Sequence, residues 1–342
     1  MRRCAALLLC AALLLYSLPV AAKKAAQYPA FYGFGDSLAD NGNVFIGSLQ
    51  LGLPVPLPPS ISPHRTYFDG RFSNGPVAFE YLWHLLEEGN PAATPLRPYL
   101  ESPCENGEPI RRAVNFAFGG SGTAQSTITS AGIAVPGLLG QVGLFACALQ
   151  GQEPPSEALY AIWSGANDYL NYLSPAPAEA RLTPAQVVTN IAISVLWLYD
   201  MGARRIVVVN YADPGRVSLP VGNAERLALS RLLRQHNLLL AGALSLLSRL
   251  PGIELVRGDI SDLFNRLPSG ANTRIPALDA LFPPQPGQLP MSLCINVDPG
   301  ACQDVPTFDV DPSFVFWDTQ HLTTQIHHLV ASKLYERLSD ED

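Results

Sequence analysis

The amino-acid sequence predicts an α/β protein, a three-layer αβα sandwich around a central parallel sheet of about five strands. Two observations predict it. Short apolar runs without polar alternation recur along the chain, as strands covered on both faces require. Stretches of helical length and pattern separate these runs, and crossovers of that kind join parallel neighbours. No internal repeat or long linker breaks the series. With 48% hydrophobic residues in 342, the chain has ample material for a sizeable core.

Taken in order, the first object is a leader. Arg2 and Arg3 precede an apolar stretch, Cys4 to Tyr16, too short to span a bilayer, and the small residues Val20-Ala21-Ala22 follow. Residues 1–22 therefore read as a secretory signal cut before Lys23, and 23–342 as one domain without a transmembrane segment. The predicted strands are Ala30–Phe34, Ala113–Phe116, Leu159–Trp163, Arg205–Asn210 and Glu254–Arg257. A helix over Pro76–Glu87 starts with proline in its first turn. Thr183-Pro184 opens another that runs to about Met201, with Gly202 as its stop. Asn223–Arg249 is long and amphipathic, and His321–Leu338 closes the chain. This series fits a flavodoxin-like topology, in which ligands sit beyond the carboxyl ends of the strands. Two proline-crowded stretches, Leu51–Pro63 and Leu267–Asp311, fit neither helix nor strand and read as active-site walls or as surface decoration.

The formal charge is −7, and loss of the leader's two arginines makes the mature chain more acidic. Without a basic run it is a poor partner for nucleic acid or an anionic membrane surface. No CxxC or HExxH pattern signals a metal, and no cofactor is expected. Asp298, Asp304, Asp309 and Asp311 fit no EF-hand spacing and read as acidic surface. Of the six cysteines four follow the leader, an even number suited to disulfides in an exported protein. Cys294 with Cys302 is the expected first pair, and Cys104 with Cys147 the second.

Candidate chemistry gathers at the strand ends. Ser37 falls just past the first strand, where Gly33 and Gly35 permit a tight turn. A serine there is ordinarily a turn cap, and becomes a nucleophile only with a base beside it. His321 has a carboxylate, Asp318, three residues earlier, a spacing that lets both share a face on a turn entering the last helix. Asp318 can hold Nδ1–H while Nε2 faces the serine, and it can also cap that helix. His327 and His328 lack such a partner and read as structural or exposed. Gly120, after the second strand, and Asn167, after the third, are candidate donors to an oxyanion, together with the Ser37 amide. The set suffices for nucleophilic acyl transfer. GxSxG, the signature of the other large hydrolase fold, is absent.

Five segments in order resemble the SGNH or GDSL family of lipases and esterases, over roughly residues 30 to 335. Phe34–Asn43 (FGDSLADNGN) resembles the first block, with the nucleophile at Ser37. Asn115–Gly122 (NFAFGGSG) resembles the second, with Gly120 as oxyanion glycine and Gly119 as the alternative. Gly165–Asp168 (GAND) matches the third with Asn167, and Phe316–Thr323 (FWDTQHLT) the last with Asp318 and His321. Tyr67–Leu82 (YFDGRFSNGPVAFEYL) is similar to a segment of the longer bacterial and plant members. Leu322, where proline is usual, and Phe79, where tryptophan is common, depart from the pattern. The resemblance implies the SGNH hydrolase fold and a secreted serine ester hydrolase. It tilts the substrate toward lipid or lysophospholipid acyl esters, as do the apolar residues of Leu49–Leu57. Short-chain acyl, choline and carbohydrate acetyl esters, and acyl transfer, use the same groups. A binding protein that has lost the chemistry is disfavoured by the intact set.

Overall fold

A computed structural model of the chain describes residues 28–63, 65–104, 110–173, 181–213, 223–261, 263, 315–318 and 320–340. Its centre is a sheet of β1 (Phe31–Gly35), β2 (Arg97–Pro98), β3 (Ala113–Asn115), β6 (Leu159–Trp163), β7 (Arg205–Val209) and β8 (Glu254–Gly258). The order is β2-β3-β1-β6-β7-β8 and every pairing is parallel. A separate antiparallel hairpin joins β4 (Ser126–Ile128) to β5 (Ala134–Pro136). The helices are α1 (Asn43–Gln50), α2 (Ala78–Leu86), α3 (Leu138–Leu149), α4 (Ala166–Leu173), α5 (Pro184–Asp200), α6 (Asn223–Leu247) and α7 (Thr324–Asp340).

Alternation along β1 assigns the two faces. Phe31 packs on Phe79 and Trp83 of α2, whereas Tyr32 and Phe34 meet Phe145 of α3. All five β1 residues are buried, because helices cover both sides. One helical layer pairs α2 with α7; the other groups α3, α5 and α6. Within the second layer α5 starts at a capping box: the Thr183 side chain accepts from Gln186 N, with Pro184 in the first turn.

The three-layer parallel sandwich expected from the sequence is present, with the hairpin and helices α1, α3 and α4 as additions and with differences at the sheet edge and the last helix. A sixth strand, β2, lines the edge; at two residues it has no pattern to read. The terminal helix begins at Thr324, not at His321, so Asp318 is not its cap. Its carboxylate instead closes a local turn by accepting from Gln320 N and His321 N. The leader, Cys294, Cys302, the four aspartates Asp298, Asp304, Asp309 and Asp311, and the stretch 267–311 lie outside the described residues. Among the described residues no helix is long and apolar enough to cross a membrane.

What the topology does for function is simple. After β1 the chain builds β2 and β3 on one side of it, then moves to β6 on the other. The carboxyl end of β1 is therefore the switch point of the sheet, where open α/β sheets leave a crevice.

Candidate active site

The turn after β1 is held from several directions. A Cβ on Gly35 would stand 2.3 Å from Trp163 O of β6, so only glycine lets the two strands meet there. The buried Gln141 side chain of α3 grips the same residue: its Oε1 accepts from Gly35 N at 2.9 Å and its Nε2 donates to Gly35 O at 2.8 Å. Ser121 Oγ also donates to Gly35 O. Beyond it, Asp36 O accepts from Ala39 N and Asp40 N, and Asp36 Oδ1 from Leu38 N. These bonds present Ser37, 8% exposed, at the top of the turn.

The turn is tied to its neighbours by buried polar side chains. Asp40 accepts from four backbone amides, Gly42 and Asn43 at Oδ1, Val44 and Gly119 at Oδ2. Asn43 Nδ2 donates to Asn115 O and Ala117 O, and Asn115 Nδ2 donates to Ala39 O. The first two sequence blocks thus form one hydrogen-bonded unit.

The histidine arrives on a separate segment. Asp318 and His321 stand between Phe316 and Leu322, which pair as an isolated antiparallel bridge. His321 Nε2 lies 2.9 Å from Ser37 Oγ, and Nδ1 lies 2.5 Å from Asp318 Oδ2. Asp318 Oδ2 also accepts from Tyr67 OH at 2.7 Å. Both carboxylate oxygens are thus occupied by donors. Burial alone would push the Asp318 carboxyl up, but the charge and hydrogen bond of His321, the Gln320 amide and the Tyr67 hydroxyl outweigh it. They hold the carboxyl well below the usual carboxylate range.

The segment 67–75 packs this unit in place. The Phe72 ring lies 5.1 Å from the His321 ring, centroid to centroid, and Ser73 Oγ donates to Leu322 O. Asn74 Oδ1 accepts from Thr324 N, capping the first turn of α7 from 250 residues away. The proline-rich stretch braces the segment in turn: Pro59 O accepts from Thr66 N and Tyr67 N, and Ser60 Oγ from Gly70 N. Leu49 and Leu51 face solvent, while Leu57 packs against the core.

Donors converge from β1, β3 and β6. Gly120 has φ +79°, the left-handed region, and a Cβ there would press on Thr129 of the adjacent hairpin. Neither its amide nor that of Ser37 has an acceptor among the described residues. Gly119 N is committed to Asp40, which leaves Gly120 as the available glycine. Asn167, in the first turn of α4, donates one Nδ2 hydrogen to Ser121 O at 3.0 Å and has the second to offer. The five residues singled out from sequence are thus gathered at one end of the sheet, around β1.

Beneath them lies a buried polar layer. Burial pushes the Asp36 carboxyl up to about 6, against donation from Leu38 N, the His321 charge and the Tyr211 hydroxyl. Burial likewise lifts Asp168 to about 7, with Thr123 N donating to it and the charge of Asp36 adding to the rise. Tyr211 OH donates to Asp36 Oδ2 and accepts from Ala166 N, so it links the nucleophile turn to α4. Tyr67, Gln141 and Tyr211 escaped the sequence reading. Only for Tyr67 was there a signal, its place at the head of the fifth similar segment. Among the described residues no group of three or more His, Cys, Asp or Glu could hold a metal ion.

A hydroxyl, a base, an orienting carboxylate and donors to a developing negative charge, so disposed, can carry out nucleophilic attack on a carbonyl. Known proteins resemble the chain over most of its length. A GDSL esterase/lipase of Arabidopsis thaliana is 29% identical over 342 residues, covering 89% of this chain and 86% of the relative. GDSL esterase/lipase 7 of the same plant is 26% identical over 348 residues, covering 90% and 88%. Among solved structures, a lipolytic G-D-S-L family member from Veillonella parvula aligns with TM-score 0.40 and 11% identity, covering 90% of this chain and 96% of that one. A catalytic mutant of an acetylxylan esterase from Geobacillus stearothermophilus aligns with TM-score 0.46 and 12% identity, covering 92% and 96%. Residues 31–334 match the family described as GDSL-like Lipase/Acylhydrolase, and the chain belongs to that family.

Proposed function

We propose that the protein is an exported serine hydrolase of carboxylic esters, with a leader over 1–22 and one catalytic domain over 23–342. Family membership supports the ester hydrolase activity. The observation that carries the mechanism is the unbroken chain Ser37 Oγ, His321, Asp318, with separations of 2.9 and 2.5 Å. His321 Nε2 takes the proton of Ser37 as Oγ attacks the ester carbonyl, and Asp318 holds the imidazole in the required tautomer. The amides of Ser37 and Gly120 and the free Nδ2 hydrogen of Asn167 stabilise the tetrahedral oxyanion. His321 then gives its proton to the leaving alcohol, and water attacks the acyl-serine by the same route in reverse.

For the substrate we favour longer, lipid-like acyl esters. Each acyl methylene buried contributes ~0.8 kcal/mol, and of the apolar stretches in the sequence Leu49–Leu57 follows Ser37 closely while Leu278–Leu293 precedes Asp318. The exposure of Leu49 and Leu51 provides apolar surface for such a chain. The sulfurs of Cys104 and Cys147 lie at bonding distance, 2.15 Å, and a disulfide between the segment after β2 and α3 accords with export.

The decisive test is Ser37→Ala. Turnover of a chromogenic acyl ester should fall by ~10³-fold or more while the thermal melt is unchanged. Near-normal turnover in a folded variant would overturn the mechanism. Acyl esters of increasing length test the substrate: kcat/KM should rise over the first few carbons. A steep preference for acetyl, with no gain beyond it, would favour small acyl groups on sugars or choline instead.

A further inference from the structure

Asp318 sits at the end of the proton path, and among the described residues Tyr67 is the one side chain besides His321 that hydrogen-bonds it. The two donors share a single oxygen. Oδ2 takes Nδ1–H of His321 at 2.5 Å and the Tyr67 hydroxyl at 2.7 Å, while Oδ1 takes the amides of Gln320 and His321. Four donors fill the roughly four lone-pair sites of a carboxylate. Tyr67 is built into this position. Pro59 O accepts from its amide, and its ring stands edge-on to Phe72 and Trp317 at 6.3 and 6.4 Å. Burial and then the negative charge of Asp318 push its hydroxyl far above the usual phenol range, so it donates at every working pH.

The geometry points to Tyr67 as a positioning residue that works through Asp318: its hydroxyl fixes the carboxylate rotamer and draws charge from Oδ2, which limits how strongly Asp318 holds the protonated imidazole. A carboxylate with His321 as its sole side-chain donor would bind imidazolium more tightly and leave less of His321 in the neutral, proton-accepting form near neutrality. Tyr67 therefore sets the acid limb of the rate profile. The inference rests on Ser37, His321 and Asp318 acting as the reacting chain. Among the described residues the charge of His321 is also felt by Asp36 beside the nucleophile and by His327 on α7. The charges on the Tyr67 segment itself are paired elsewhere, Asp69 with Arg65 and Arg71 with Glu80.

The test is Tyr67→Phe, which keeps the ring and removes the hydroxyl. kcat/KM near neutrality should drop roughly threefold to tenfold with KM little changed, and the acid limb of kcat/KM should move up by about half to one pH unit. In an Asp318→Ala background, Tyr67→Phe should have no further effect, because the group it acts through is gone. Incorporation of 3-fluorotyrosine at position 67, a stronger donor of nearly the same size, should move the limb the opposite way and keeps the test open if the phenylalanine variant folds poorly. An unmoved acid limb, or an undiminished effect without Asp318, would overturn the inference and reduce Tyr67 to packing. Either result leaves the triad standing; that reading falls only if Ser37→Ala stays active.

Discussion

Asn167 illustrates what a single residue does at this site. Ser121 O fixes one of its amide hydrogens and so aims the other, which means that the donor is oriented before any ester binds. Asn167→Ala should lower kcat by roughly 10²–10³-fold with little change in KM, the signature of an interaction made in the transition state. Steady-state kinetics on the purified variant measure both, and a change confined to KM would remove Asn167 from the oxyanion site. Residues of this kind were legible in the sequence. Ser37, Gly120, Asn167 and His321 each follow or precede an element and carry a chemistry that few residue types share. Gln141, Tyr211 and Asp40 were not legible, for a physical reason. They act by hydrogen bonds to backbone or to partners far off in sequence, as Gln141 does on Gly35 from 106 residues away, and a lone buried glutamine in a helix has no local pattern. Gly119 shows the same limit from the other side. Which of two adjacent glycines is free depends on where Asp40 points.

Among the elements, the strands were easier to read than the irregular segments. Five of the six sheet strands follow from apolar runs, and Leu159–Trp163 agrees residue for residue, because burial on both faces leaves a run that needs no tertiary knowledge. Helices α1, α3 and α4 escaped notice. α3 is apolar nearly all round, so it has no polar face to mark it, and α1 and α4 are only eight residues each. The start of α7 departs from the expected one for a related reason. The side chain that satisfies its first amide comes from Asn74, on a segment far away in sequence. That contact yields an element-scale prediction. Asn74→Ala should destabilise the protein by about 1 kcal/mol, the usual cost of a lost helix cap. It should also lower kcat, because the loosened helix start follows His321 by three residues. Urea midpoints and kcat measured together check this: a stability loss without any loss of kcat would show that Asn74 holds the helix but not the histidine.

At the scale of the whole molecule the buried titratable groups oppose one another. Burial lifts Asp36 and Asp40 to about 6 and Asp168 to about 7, so the native state keeps protons that the unfolded chain releases above the ordinary carboxylate range. Their contribution to stability falls as pH rises from about 4 to 7. The buried histidines run the other way. Burial lowers His236 to about 4 and His327 to about 3, so below the ordinary histidine value of 6.5 the unfolded chain takes up protons that the native state refuses. Their contribution is full above 6.5 and is lost as pH falls. Between about pH 4 and 6.5 the two imidazoles offset only part of what the three carboxyls lose. Removing one member exposes the balance. His327 is fully buried, and neither ring nitrogen has a hydrogen-bond partner among the described residues. His327→Leu replaces the ring with an apolar side chain of similar size that binds no proton. Relative to the parent, the variant should gain stability as pH falls from 6.5 toward 4, at up to about 1.4 kcal/mol per pH unit, one proton's worth. Parallel chemical denaturation curves across that range measure the difference directly. A difference independent of pH would mean that His327 binds protons equally in the folded and unfolded chains, and would contradict its buried, neutral state.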